Sequence, residues 1–137
     1  MTVRRIDGFF YGLFMDRDIL WENTVSAENP RRAYVDHYAL RIGQRATLAP
    51  VAGARAYGMV FSLTFDDVAK LYAGPGLEAY CPEAVMATLL EGGVVPAVCY
   101  NLREAPRPDE ANPDYAGKLR AALTKLNFPA AYVTSVS

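Results

Sequence analysis

The sequence predicts a mixed α+β domain whose strands, flanked by short helices, can close into a small β-barrel. Aromatic and branched residues recur in short runs between glycine-containing turns, a pattern that is typical of strands. Residues 56–63 are mostly apolar on both faces, as expected for a barrel strand that helices cover. Asp16 and Thr64 each precede apolar residues at helical spacing and favour the start of a short helix.

Length, composition and charge limit the classes of function. The chain has 137 residues and is 52% hydrophobic, which suits a single domain, residues 1–137, with one core. Its 14 Lys and Arg against 15 Asp and Glu give a net charge of −1, so we expect neither nucleic acid nor a membrane as a partner. With 1 histidine and 2 cysteines we expect no metal site, no disulfide framework and no cofactor. No signal peptide or spanning stretch is visible, which favours the cytoplasm.

The first strand, loop and helix are expected within residues 9–20. Three aromatic residues at 9–11 favour a strand, Gly12 favours a sharp bend, and a brief helix is expected at about 16–21. A strand end, a bend and a helix start leave backbone N–H groups without partners, and such groups can hold an anionic or carbonyl oxygen. The alternative is an ordinary β-to-α turn that is buried beneath aromatic side chains.

The middle of the chain is expected to hold two main strands. A loop at residues 23–30 leads into a long strand at 31–42, in which aromatic and branched residues dominate one face. A short segment at 45–50 and a turn at Gly53 then precede the strand at 56–63. These elements place most of the predicted barrel wall in the first half of the chain.

The next elements are a helix and the first strand of a hairpin. Thr64 is expected to begin a helix that ends at the Gly-Pro-Gly sequence of residues 74–76. A linker at 78–82 leads to a strand at 84–90, and a hairpin-like turn follows at 91–93.

The last elements begin with the returning strand of this hairpin, expected at residues 94–102. It contains Cys99, which we expect to be a buried thiol. A proline-rich, charged loop at 103–113 is a candidate flexible lid. The last helix is expected at about 113–126, and the tail at 128–133 is expected to pack back on the core.

The loop after the first strand carries a family resemblance. Residues 11–15, Tyr-Gly-Leu-Phe-Met, resemble the Tyr-Gly-(Ser/Thr)-(Asn/Leu)-(Met/Leu) loop of the γ-glutamylcyclotransferase-like superfamily. The continuation, residues 15–20, is most similar to the branch named after the plant avirulence-induced (AIG2-like) proteins. Residues 58–64 and 66–72 are similar to the strand and helix that follow in this superfamily, and later tyrosines occur in the same order. The resemblance covers nearly the whole chain.

The resemblance implies the small barrel fold and a transferase-type activity that releases 5-oxoproline from a γ-glutamyl substrate. It also implies a small-molecule cavity beside the glycine loop, by which we mean residues 11–14. The residues that it implies for ligand binding are Tyr11, Gly12, Leu13, Phe14, Tyr80 and Tyr115.

The sequence departs from the superfamily at the catalytic position. The related cyclotransferases carry a glutamate just after the helix, where it acts as general base and acid, but that position falls here on Gly74 or Pro75. Neither residue transfers a proton. The nearest acid is Glu78, which is the candidate catalytic residue, and Glu83 lies further on. The alternative for Glu78 is a solvated surface side chain.

Two functions therefore remain open at this stage. One is a γ-glutamyl cyclotransferase in which Glu78 is the acid and base. The other is a catalytically inactive module that binds a small metabolite, which is favoured because Leu13 and Phe14 replace polar residues of the loop and make the cavity mouth more apolar. A homodimer through the tail and an exposed hairpin edge is a third, less specific expectation.

Overall fold

Five strands close into a barrel in this computed structural model, which describes residues 4–137. Around the barrel the strands follow the order β1-β3-β2-β4-β5. Neighbouring strands are antiparallel, except that β1 and β5 are parallel where they meet at Gly8 and Val98. The strands are β1 (Arg5–Phe10), β2 (Glu28–Ile42), β3 (Ala46–Thr64), β4 (Tyr80–Leu89) and β5 (Val94–Leu102). The predicted α+β class with a small barrel is confirmed.

Short helices flank the barrel and begin at side-chain caps. The Asp16 side chain accepts a hydrogen bond from the Asp18 N–H, and the Thr64 hydroxyl accepts one from the Asp67 N–H, as the sequence predicts. A 3₁₀ turn at Leu13–Met15 precedes the first helix. The helices are α1 (Arg17–Glu22), α2 (Phe65–Leu71), α3 (Pro113–Lys125) and α4 (Ala130–Ser135). None of these helices, within residues 4–137, is long and apolar enough to cross a membrane.

The strands β2 and β3 are longer than the sequence pattern predicts. β2 begins at Glu28, inside the expected loop, and β3 runs unbroken through the expected turn at Gly53. The pairing of β2 with β3 shifts register between Asp36 and Tyr38, but neither strand ends there. At this point the Gly53 N–H donates a hydrogen bond to Nδ1 of the exposed His37. The Gly53 signal therefore marks a bulge in a long hairpin.

The strand β4 begins at Tyr80, inside the expected linker at residues 78–82. Pro82 suggested an irregular segment because proline cannot donate a strand hydrogen bond. β4 pairs with β2 at its far end alone, at Leu89 and Thr88, so Pro82 has β5 as its single strand neighbour. At Pro82, β4 therefore has one edge without a partner strand, and proline is tolerated in strands with such an edge.

Two packed clusters make up the core, and β1 contributes to both. Phe9 points into the barrel, where it packs with Val60 and Cys99, whereas Phe10 points outward to the helices. This alternation is the period of two that a strand imposes. Cys99 is fully buried, as predicted, and Phe128 of the tail packs in the outer cluster, also as predicted.

Side chains join β3 to β5 where the two strands are not paired. The Leu102 N–H donates to the Thr47 hydroxyl at 2.9 Å, and the Leu48 N–H donates to Asn101 Oδ1 at 3.2 Å. The Asn101 amide donates in turn to Glu83 Oε1 at 2.9 Å. The start of β3 is therefore held in place by buried polar side chains.

Thr47→Val tests this arrangement by stability. Valine keeps the shape of the buried Thr47 side chain but leaves the partly buried Leu102 N–H without this acceptor, so we expect the free energy of unfolding to fall by about 1–2 kcal/mol. The control is Thr88→Val on β4, where the side chain makes no hydrogen bond within residues 4–137 and we expect a change within about 0.5 kcal/mol. Urea unfolding of the three proteins measures both changes, and equal effects would contradict the assigned role of Thr47.

Candidate functional site

A cavity of about 430 Å³ lies between the glycine loop, the start of β3, the segment after α2 and the start of α3. We call it the tyrosine cavity because Tyr11, Tyr72, Tyr80 and Tyr115 line it. The six residues that the resemblance implies for ligand binding all lie in its wall: Tyr11, Gly12, Leu13, Phe14, Tyr80 and Tyr115. The structure thus brings these side chains together, and ligand binding by them remains a prediction.

The close contact between Tyr115 and Gly12 fixes the glycine loop against α3. The Leu13 N–H donates a hydrogen bond to the Tyr115 hydroxyl at 3.2 Å. A Cβ atom on residue 12 would collide with that same hydroxyl oxygen, so the approach requires glycine. Asn112 caps α3 by accepting from the Tyr115 N–H, and its amide donates to the Gln44 carbonyl. The cap therefore sets the position of Tyr115 and links it to another part of the cavity wall.

The other tyrosines form a rigid aromatic wall. The Tyr11 hydroxyl donates to the Tyr100 carbonyl at 2.6 Å, and the Tyr80 hydroxyl donates to the Ala46 carbonyl. Tyr72 stacks face to face on Tyr100 with 4.0 Å between ring centroids. The edge of one ring meets the face of the other between Phe14 and Tyr72, which holds Phe14 in the wall.

Burial keeps these phenols in their neutral form. Loss of solvent raises the pKa of Tyr11 and of Tyr72 well above the usual value of 10. The same cause raises the pKa of Tyr80 to about 12 and also raises the pKa of Tyr115. At neutral pH the four hydroxyls can form hydrogen bonds, but none of them can act as a general base.

Glu78 is not part of the tyrosine cavity. Its side chain is exposed and lines a separate depression, together with Cys81 and Arg103. Pro75 and Gly76 lie in the cavity wall, at or next to the position where the resemblance implies the catalytic glutamate. The structure does not support the expectation that the Glu78 carboxylate points into the cavity, because Glu78 is exposed and lines the other depression.

The Glu83 side chain also lies outside the tyrosine cavity, where it is hydrogen-bonded to other residues. It lies on β4, and its Oε2 accepts a hydrogen bond from the Tyr38 hydroxyl at 2.6 Å while its Oε1 accepts one from Asn101. Among the described residues that line the tyrosine cavity there is no Asp, Glu, His or Cys. The cavity therefore has no carboxylate, imidazole or thiol in its wall.

The proline-rich loop at residues 103–113 does not cover the tyrosine cavity. Pro106 packs against Gly43, and the Arg107 N–H donates to Glu110 at 2.6 Å. The loop lines a different depression, which it shares with the C-terminal residues. The expected lid is therefore not in a position to close over the glycine loop.

Arg45 is a cavity residue that the sequence did not reveal. It is exposed, it begins the short segment expected at residues 45–50, and it is the single charged side chain in the described cavity wall. Its guanidinium lies directly over Gly76, where a Cβ atom would stand 2.9 Å from Nη2. Arg45 and Gly76 are 31 positions apart, so no local sequence pattern predicts their contact. Tyr72 and Pro75 were likewise not predicted as ligand-binding residues.

The comparisons with known proteins identify the fold. No family model matches the chain, and no curated protein matches its sequence. A solved γ-glutamyl cyclotransferase matches 98% of this chain over 89% of its own, with 15% identity and a TM-score of 0.80. An uncharacterised human protein matches 97% over 88% with 18% identity and a TM-score of 0.80, and a mouse AIG2-like protein matches 80% over 89% with 15% identity and a TM-score of 0.59. The chain therefore has the γ-glutamyl cyclotransferase-like fold, as the resemblance implies.

The pair Gly12 and Tyr115 allows a direct test of the site geometry. We expect Gly12→Ala to lower the free energy of unfolding by about 1–3 kcal/mol, because the new methyl group collides with the Tyr115 hydroxyl. In the Tyr115→Phe background the same change should cost much less, since the next ring atom is 3.8 Å away, an ordinary contact. Urea unfolding of the four proteins measures the coupling, and additive effects would show that the two residues do not touch.

The raised pKa of Tyr80 predicts a loss of stability at high pH. Between pH 10 and about 12 the unfolded chain loses the Tyr80 proton while the native state keeps it, so the free energy of unfolding falls as pH rises through this range and is unaffected by this group below it. In Tyr80→Phe we expect a shallower fall. Urea unfolding between pH 8 and 11.5 gives the two slopes, and equal slopes would contradict the burial of this hydroxyl.

Proposed function

Proceeding from this fold, we propose that the protein binds a small metabolite in the tyrosine cavity and does not catalyse γ-glutamyl cyclotransfer. The observation that carries the proposal is the chemistry of the cavity wall, which offers phenols, an arginine and apolar side chains but no group that takes and returns a proton near neutral pH. The proposal corresponds to the inactive alternative of the sequence analysis.

Cyclotransfer requires a general base, and the described wall of the cavity contains none. The α-amine of the substrate attacks the γ-glutamyl carbonyl and must lose a proton to a base within about 3 Å. Burial keeps the protons on the four phenols, and a guanidinium has no acceptor atom. Two glutamates follow the implied catalytic position in the sequence. Glu78 is exposed outside the cavity, and Glu83 is hydrogen-bonded to Tyr38 and Asn101.

The same wall suits reversible binding. Small-molecule sites are concave, mostly apolar and aromatic, and contain a few placed polar groups, with volumes of roughly 300–1,000 Å³. The tyrosine cavity, at about 430 Å³, has apolar side chains from the glycine loop and α1 and hydroxyls from α3 and β4. Three of its four tyrosines are fixed by hydrogen bonds to the backbone, so the site is formed before a ligand arrives.

The second candidate function is γ-glutamyl cyclotransfer, which one of the structural neighbours is named for. It is favoured by the shared fold and by the placement of Tyr11, Tyr80 and Tyr115 around one cavity. It requires the exposed Glu78 carboxylate to move from its own depression into the tyrosine cavity. Fold similarity is a weak argument for chemistry, so this candidate is decided by turnover alone.

A turnover measurement separates the two functions. We expect no 5-oxoproline above the blank when the purified protein is incubated with γ-glutamyl amino acids, glutathione or γ-glutamyl-lysine and the product is followed by mass spectrometry. The matched variants are Glu78→Gln and Glu104→Gln, whose carboxylates line the same depression. Product that disappears in Glu78→Gln and persists in Glu104→Gln would overturn the proposal and establish the enzyme.

A further inference from the structure

We infer that the ligand of the tyrosine cavity is an amphipathic anion, whose acid group is bound by Arg45 and whose apolar body lies against the aromatic wall. This inference rests on the proposed function and adds the chemical class of the ligand. It starts from the position and the surroundings of the Arg45 guanidinium.

Arg45 is a cation in the cavity wall with no counter-ion among residues 4–137. Its guanidinium makes no ion pair and no hydrogen bond within residues 4–137, and no carboxylate lines the cavity beside it. Two other arginines of the barrel do have carboxylate partners: Arg31 is paired with Asp7 at 2.7 Å, and Arg55 with Asp36 at 2.8 Å. A planar guanidinium without a partner is well suited to bind a carboxylate or a similar oxyanion through two parallel hydrogen bonds.

Gly76 lets the guanidinium lie close to the cavity. Its φ of +83° is a conformation that glycine adopts easily, and its missing side chain leaves room for Nη2 of Arg45 directly above the backbone. The guanidinium therefore packs on the Gly-Pro-Gly segment that follows α2. The guanidinium thus gives this part of the cavity wall a positive charge.

The remainder of the wall selects an apolar body. The side chains that provide it are Phe10, Leu13, Phe14, Ile19, Pro75 and Leu77. The Tyr72 hydroxyl makes no hydrogen bond within the described residues and is free to meet a polar atom of the ligand. A zwitterion fits less well, because its ammonium group would find no carboxylate in the described wall. The lining thus favours one negative charge on a flat apolar molecule.

A matched pair of probes tests the charge. We use 4-phenylbutyrate and its neutral amide, 4-phenylbutyramide, which share one apolar body, and measure each dissociation constant by protein NMR titration. In the natural protein we expect the acid to bind about two- to fivefold more tightly than the amide, the range of effect of one exposed charge pair. Arg45→Ala should abolish the preference for the acid over the amide, and Arg45→Glu should reverse it.

Arg41→Ala is the control variant. Arg41 is also exposed, pairs in register with Thr47 near the same end of the β2–β3 hairpin, and does not line the cavity. It should keep the preference for the acid. A preference that survives Arg45→Ala, or equal binding of acid and amide to the natural protein, would overturn the anionic class while the cavity remains a binding site. Binding of neither probe would overturn the proposed function and this inference together.

Discussion

The contact between Tyr115 and Gly12 is the interaction on which the site depends. It brings the start of α3 onto the loop after β1, although the two lie about a hundred residues apart in the chain. Asn112 fixes the tyrosine by capping α3 and reaches Gln44 with its amide, so the helix start, the glycine loop and the entry to β3 form one rigid wall. The cavity lies between these three segments and the Gly-Pro-Gly segment.

The chain has the γ-glutamyl cyclotransferase-like fold, and the described wall of its cavity contains phenols and an arginine but no carboxylate. Phenols that burial holds neutral offer hydrogen bonds without proton transfer. Pro75 and Gly76 lie near the implied position of the acid, and Arg45 packs over them. Since the one charged side chain of the described wall is positive, the proposed ligand is an anion. The shared fold therefore does not by itself decide the function, which depends on a few side chains of the cavity wall.

Local patterns in the sequence predicted the parts of the site that are encoded locally. The capping signals at Asp16 and Thr64, the bend at Gly12 and the strand at residues 94–102 depend on neighbouring residues, and the structure confirms them. Tyr80 and Tyr115 came from the order of motifs in the family resemblance, and both line the cavity.

The features that the sequence did not predict depend on distant contacts. The Arg45 guanidinium contacts Gly76 in the cavity wall, and Glu83 accepts a hydrogen bond from Tyr38 of another strand. Neither pair could be predicted from its spacing along the chain. The unbroken course of β3 through Gly53 depends on a partner strand that absorbs the bulge. The location of Glu78 could not be predicted either, because it depends on the path of the chain after α2 and not on the number of residues that separate Glu78 from that helix.

The measurement that tests the central claim most directly is chemical-shift mapping of bound 4-phenylbutyrate on the isotopically labelled protein. The account predicts that the largest backbone amide shifts occur at Gly12, Leu13, Arg45 and Gly76, around the tyrosine cavity. Shifts that instead centre on residues 78–81 and 102–104 would place the ligand in the depression of Glu78 and contradict the account.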